Sequence, residues 1–311
     1  MKEGALVLLP NRLQKGDTVG VIAPAGPPNQ KNLHQALTFL EELGLNVKLG
    51  RYVNSKYGYL AGTDDERLHD FHEMIENPKI QGIFFARGGY GTGRIAANID
   101  YELIKQYPKI IWGYSDITYL HTAMRQATGL VTFHGPMVAT DMVNKQFDEK
   151  TRIMFNQLFT PTELHYTEAY SPLSTLVEGR SRGQIVGGNL SLIVSTLGTP
   201  FEIDMKDKLL LIEDIGEMPY RVDSMLNQLV LAGKLQQVTG IIIGDFANAE
   251  TGDKPSLSLE EVFRHYFGNL GCPVMSGFKI GHCFPHFAIP LGVEGTLDTK
   301  SKTLIVDPGV Q

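Results

Sequence analysis

The chain has little of what marks secreted, membrane-spanning or nucleic-acid-binding proteins. Two of its 311 residues are cysteine, Cys272 and Cys283, and one is tryptophan. Two cysteines cannot build a disulfide framework. The longest apolar runs, such as Leu209–Ile212 and Ile241–Ile243, fall far short of the roughly 18 residues of a membrane span. The N-terminal stretch Ala5–Leu9 is too short for a secretory signal, and no small-residue cleavage site follows it. There is no basic run. The net charge is −6, from 34 acidic and 28 basic residues, so nothing grips a phosphate backbone or an anionic membrane electrostatically. These absences lead us to expect a cytoplasmic protein with neither nucleic acid nor membrane as partner.

What is present is a globular composition, 42% hydrophobic and 20% charged. The length suits two domains or one large one. The 33 glycines exceed the usual ~7% and suggest tight turns or close backbone approaches. The first half alternates strand and helix: strands at 18–25, 46–50, 81–87, 109–114 and 130–134, and helices at 30–43, 63–76, from about 94, and 116–127. Thr63 and Glu66 read as a capping box. This alternation predicts a parallel sheet covered on both faces. Residues 158–181, rich in Thr, Pro, Ser and Glu, read as a linker. The expected division is therefore 1–157, a linker at 158–181, and a second domain at 182–311 that mixes hairpins with helices. In that domain 183–188, 208–214 and 238–246 read as strands, 219–233 and 257–270 as helices, and 293–308 as a hairpin.

Four segments could carry chemistry. In Ile110-Ile111-Trp112-Gly113-Tyr114-Ser115-Asp116-Ile117-Thr118 a buried strand runs into a serine at a helix start, the layout of a nucleophile elbow. The plainer reading is that Ser115 or Asp116 caps the helix. Arg87-Gly88-Gly89-Tyr90-Gly91-Thr92-Gly93-Arg94 exposes backbone N–H groups that could hold an oxyanion or a phosphate. A nicotinamide-binding fingerprint with Asp116 as its ribose acid is the rival, weakened because the loop follows the third strand and not the first. Glu213, Asp214 and Glu217 crowd the end of the strand at 208–214, before Pro219. His282, Cys283 and His286 lie in a loop punctuated by Gly and Pro. That loop suits a positioned general base better than a metal site, since no Cys-x-x-Cys or His-Glu-x-x-His accompanies it.

Taken together and in this order, these segments resemble the LD-carboxypeptidase family of serine peptidases, which includes the microcin C immunity peptidases. Gly20–Pro27, His134–Met137, Gly187–Ser191 and Gly244–Phe246 match as well, so the likeness spans nearly the whole chain. The resemblance implies an α/β protein with an N-terminal flavodoxin-like, class I amidotransferase-like parallel-sheet domain and a C-terminal swivelling β/α domain. It implies Ser115 as nucleophile, His282 as general base and Glu217 as the carboxylate that orients it. The N–H groups of Gly88, Gly89 and Asp116 would form the oxyanion hole, with no cofactor and no metal. The implied substrate is a cytoplasmic muropeptide, cut between a diamino acid and its terminal D-Ala during peptidoglycan recycling, and the implied assembly is a homodimer. Three positions depart from the family pattern: Ala25, Ser224 and His286. The alternatives are an immunity-type peptidase acting on a peptidyl-nucleotide antibiotic, a nucleotide-binding oxidoreductase, and a peptide-binding protein without catalysis.

Overall fold

The computed structural model describes residues 7–249 and 255–311. Ala5 and Leu6 of the N-terminal apolar stretch read above therefore lie outside the described residues. The chain divides into two compact units. The first is 1–162 with 288–292 and 308–311; the second is 163–287 with 293–307.

The first unit is built on strands β1 (Thr18–Ile22), β2 (Asn46–Leu49), β3 (Ile80–Phe85), β4 (Ile110–Gly113) and β5 (Thr132–His134). They pair in parallel in the order β2-β1-β3-β4-β5. That is the flavodoxin-type winding, which leaves a crevice at the carboxyl ends of β1 and β3, where the chain order reverses. The strand Ile-Ile-Trp-Gly of β4 is buried throughout, as a strand covered on both faces must be. Helices at Gln30–Glu42, Asp64–Glu76 and Thr118–Thr128 join the strands. The second of them opens with the expected capping box of Thr63 and Glu66.

In the second unit the strands are β6 (Leu164–Tyr166), β7 (Ser174–Val177), β8 (Arg180–Asn189), β9 (Lys208–Ile215), β10 (Gly240–Ala247) and β11 (Val274–Ser276). After β12 (Ile289–Leu291) come β13 (Glu294–Asp298) and β14 (Thr303–Val306), the expected hairpin. Strands β8 to β11 form a parallel core, flanked by antiparallel β13, β14 and β6 on one side and β7 on the other. Helices Pro219–Leu231 and Leu259–Phe267 pack their apolar faces, including Val222, Leu226 and Phe263, onto it.

The observed division differs from the expected one in two places. Residues 163–181 are not a free linker: Leu164–Tyr166 and Ser174–Val177 are edge strands of the second sheet, which the Thr/Ser/Pro composition concealed. The segment 182–311 is not one unit either. Strand β12 pairs antiparallel with β5, placing Ile289 opposite His134, and Gln311 and Pro10 are tied by a backbone hydrogen bond.

Trp112 anchors the first core. It is fully buried among Phe84, Phe133 and Phe155, with ring centroids 5.9, 6.0 and 4.5 Å away. Its indole N–H donates to the Pro136 carbonyl at 2.7 Å. A Cβ on Gly135 would sit 2.4 Å from the indole, so only glycine lets that chain pass. Trp112→Ala is expected to lower the unfolding free energy of this unit by about 3–5 kcal/mol, read as an earlier denaturation midpoint in circular dichroism. A midpoint equal to wild type would show that this ring cluster does not hold the unit together.

Candidate active site

In the first unit the site is a junction of three strand ends. Strand β4 stops at Gly113, and Ser115 follows with φ 63°. A left-handed non-glycine residue costs about 1–2 kcal/mol and is the mark of a strained strand-to-helix elbow. A short 3-10 turn, Ser115–Ile117, then leads into the helix Thr118–Thr128. The capping positions of the two helical starts are held by Tyr114 and Ile117, neither of which makes a side-chain cap, so Ser115 does not stand at a capping position. The strand end is held firmly beneath the elbow. His121 lies one turn into the helix, fully buried, and its Nε2–H donates to the Gly113 carbonyl at 2.8 Å. Burial pushes its pKa down to about 3, so the ring stays neutral.

The glycine-rich loop after β3 closes on this elbow. A Cβ on Gly88 would lie 3.2 Å from both Cβ and Oγ of Ser115. The Gly88 carbonyl accepts the Gly26 N–H at 3.0 Å. Because the peptide is trans, this turns the Gly89 N–H to the opposite side. Gly89 itself has φ 110°, open to glycine alone.

Two charged side chains clasp the base of this loop. The Asp116 carboxylate accepts the Thr92 N–H at 2.9 Å, and the Asp116 carbonyl accepts the Thr92 hydroxyl at 2.6 Å. Asp116 is therefore committed inward, not presented to a ribose as the nicotinamide reading requires. From the other side the buried Arg67 donates to the carbonyls of Pro24 and Gly91 and to Asp64. One guanidinium thus joins the loops that follow β1 and β3.

In the second unit the expected partnership changes. Nδ1–H of His282 donates to Oε2 of Glu213 at 2.7 Å. Glu213 is fully buried, and His282 is 13% exposed. The carboxylate that meets the imidazole is therefore Glu213, not Glu217. Glu217 follows the end of β9 and instead takes a 3.4 Å contact from Arg221 one helical turn on. The physical reason is the strand itself: Glu213 is still inside β9 and points into the unit, whereas the chain after Ile215 turns away through Gly216 at φ 75°. Gly281 makes the approach of the histidine loop possible. Its φ is 122°, and a Cβ there would sit 2.6 Å from Oε2 of Glu213. Asp214, on the opposite face of the strand, accepts from Asn189 and from the N–H and hydroxyl of Ser191 at 2.8–2.9 Å. A carboxylate bound through Nδ1 leaves Nε2 as the basic nitrogen, the arrangement a general base requires.

The sequence offered Glu213 only as one of three clustered carboxylates, with the orienting role given to Glu217, and Arg67 and His121 went unread. The signal for Glu213 was its place directly after Leu209–Ile212, where a buried strand cannot leave a carboxylate unpartnered. Nothing in the local sequence marked Arg67 or His121. Among the described residues, no group of three or more His, Cys, Asp and Glu is placed to hold a metal ion, and no helix is long and apolar enough to cross a membrane.

The chain matches the LD-carboxypeptidase N-terminal domain over residues 19–135 and the LD-carboxypeptidase C-terminal domain over 182–297. It belongs to the LD-carboxypeptidase family. It is a hydrolase of the serine carboxypeptidase class. It is 55% identical over 302 residues to a probable murein peptide carboxypeptidase of Bacillus subtilis, covering 97% of this chain and 95% of that one. The crystal structure of muramoyltetrapeptide carboxypeptidase from Oxalobacter formigenes superposes with a TM-score of 0.84 at 27% identity, over 93% of this chain and 98% of that one. The structure of MccF in complex with glutamyl sulfamoyl guanosine gives 0.88 at 26% identity, over 96% and 98%.

Burial raises the Asp116 pKa to about 6, against the lowering effect of its bonds to Thr92. A carboxyl raised in the folded state keeps a proton that the unfolded chain has already lost. Its contribution to stability is therefore full below about pH 4 and falls away as pH rises through about 6. Asp116→Asn removes this dependence. Its denaturation midpoint should gain on wild type between pH 4 and 7, by on the order of 2–3 kcal/mol, and run parallel above. Midpoints that run parallel over the whole range would disprove the shift.

Proposed function

We propose that the protein removes the terminal D-Ala from murein tetrapeptides in the cytoplasm, cutting the bond from the L-centre of the diamino acid as part of peptidoglycan recycling. The observation that carries this is the strained elbow: Ser115 is held at φ 63° with Gly88 against its hydroxyl. A left-handed serine at a strand end is a strained conformation, and it lifts the hydroxyl out of the sheet. The pair of His282 and Glu213, and the names of the relatives, support the same reading.

In this mechanism Nε2 of His282 takes the Ser115 proton as the hydroxyl oxygen attacks the scissile carbonyl. Glu213 fixes the tautomer and stabilises the imidazolium. The N–H groups of Gly88, Gly89 and Asp116 receive the oxyanion. His282 returns the proton to the leaving D-Ala nitrogen. Water, activated by the same imidazole, then releases the acyl group from Ser115.

The test is a digest of L-Ala–D-Glu–diamino acid–D-Ala peptides read by mass. Release of D-Ala is expected, with no release from the same peptide ending in L-Ala. Equal release of both would overturn the proposal. The relative bound to a sulfamoyl guanosine makes a peptidyl-nucleotide the second substrate to offer. Faster cleavage of it than of the tetrapeptide would assign the chain to immunity instead.

The triad is tested separately. Ser115→Ala, His282→Ala and Glu213→Gln should each lower kcat on the order of 10³–10⁴-fold or more. The double variant Ser115→Ala/His282→Ala should be little worse than either single, because the residues act as a unit. Glu217→Gln should keep far more activity than Glu213→Gln. The reverse order would restore Glu217 to the triad.

A further inference from the structure

The crevice beside Ser115 carries an aromatic feature that the chemistry of bond cleavage does not use. Tyr59 is 67% exposed and Tyr90 is 56% exposed. Their rings meet edge to face with centroids 5.7 Å apart. Exposed single aromatics are ordinary, but an exposed pair held in fixed geometry beside a nucleophile needs a reason.

The pair is held firmly. Residues 57–60 form a tight turn closed by two backbone hydrogen bonds between Tyr57 and Leu60, of 2.8 and 3.0 Å. On one side Leu60 is buried against Gly91, where a Cβ would strike its Cδ2 at 2.7 Å. On the other the Ala61 N–H donates to the Ala25 carbonyl at 2.8 Å. Tyr90 sits in the glycine-rich loop itself. The route from the nucleophile is short: Ser115 touches Gly88, Gly88 is bonded to Gly26, and the Tyr59 carbonyl lies 3.7 Å from a Cβ placed on Gly26. Arg94 lies close enough to feel both phenols and is itself paired with Asp64 through two bonds of 2.9 and 3.0 Å.

The ligand follows from what a murein tetrapeptide offers. Its residues carry carboxylates, an amine and methyl groups, none of which is a flat apolar face. The ring at its far end is the amino sugar to which the peptide is attached. A pyranose presents C–H groups on its faces and hydroxyls at its rim. Tyrosine rings with free phenols match both. Three extended residues reach on the order of 10 Å from the cut, the scale of the three successive close approaches that link Ser115 to Tyr59.

We propose that Tyr59 and Tyr90 form a subsite for the N-acylated amino sugar of the substrate, so that the enzyme prefers sugar-bearing peptide to free peptide. This rests on the murein reading of the site given above. The structure shows an organised aromatic pair in the first unit, and the preference for sugar is its chemical consequence.

The test compares kcat/KM on a muramoyl-tetrapeptide and on the free tetrapeptide. Wild type should favour the sugar-bearing peptide roughly tenfold. Tyr59→Ala/Tyr90→Ala should bring that ratio near one, chiefly by raising KM for the muramoyl-peptide, whereas Tyr59→Phe/Tyr90→Phe should keep most of it. Labelling of Ser115 by a fluorophosphonate reports that each variant is folded, and Tyr59→Ala alone serves if the double variant is not. A wild-type ratio at or below one, or a ratio that the alanine variants leave unchanged, overturns the subsite while leaving the carboxypeptidase reading intact. Failure of wild type to release alanine from either peptide overturns that reading, and the subsite with it.

Discussion

The first unit's site depends on one backbone torsion. Ser115 can stand at φ 63° only because everything around it is over-determined. The strand before it is buried along its whole length. The Gly113 carbonyl accepts from both the Gly135 N–H, at 3.2 Å, and the His121 ring. Gly88 has no side chain to push the serine back. Each of these is a packing or hydrogen-bond gain that offsets a strain of about 1–2 kcal/mol. A less rigid strand end would relax the serine into an ordinary helical start and lose the raised hydroxyl.

The second unit solves a different problem, that of keeping a carboxylate in a dry interior. Three acids stand close together in sequence, yet each meets a different fate. Glu213 faces His282, Asp214 faces Asn189 and Ser191, and Glu217 contacts Arg221 outside the sheet. The alternation of a strand separates the first two by face, and the end of the strand releases the third. Burial raises the Asp214 pKa, opposed by the bonds from Ser191. Its hydrogen bonds keep the helix after β8 seated and do not touch the imidazole. The chemistry of the unit thus comes from strand parity and not from a local acidic motif.

That distinction explains what could be read from the sequence. The alternation of strand and helix in the first half was legible because parallel strands, buried on both faces, are continuous apolar runs. The elbow and the glycine-rich loop were legible because glycine marks close approaches wherever a backbone must pass, as at Gly88 and Gly281. The identity of the acid was not. Glu213 and Glu217 differ by four positions, and only the end of β9 at Ile215 decides which one points inward. The edge strands within 163–181 and the return of 288–292 to the first sheet were hidden for a related reason. Short strands of three or four residues carry too little periodicity to announce themselves, and their partners lie far away in the chain.

Charge in the first unit is distributed in a way that permits the site to work. Arg67 carries a buried cation, which without a partner would be prohibitive. Asp64 supplies the counter-charge, and its pKa is drawn down by the bonds from Arg94 and then Arg67, against the opposing pull of burial. Asp64 sits nearer the surface, where it can stay ionised. Asp116 is thereby spared the task of neutralising Arg67. It feels that cation only weakly, and its burial dominates. The residue next to Ser115 consequently holds the loop through hydrogen bonds to Thr92 and not through an ion pair with Arg67. Each of the two loop ties therefore has its own partner: the Arg67 guanidinium is balanced by Asp64 toward the rim, and the Asp116 carboxylate is bonded to the Thr92 N–H beneath the elbow. Neither tie depends on the other for its charge balance, so the buried cation and the buried acid can stand in one small region without being forced into a single pair.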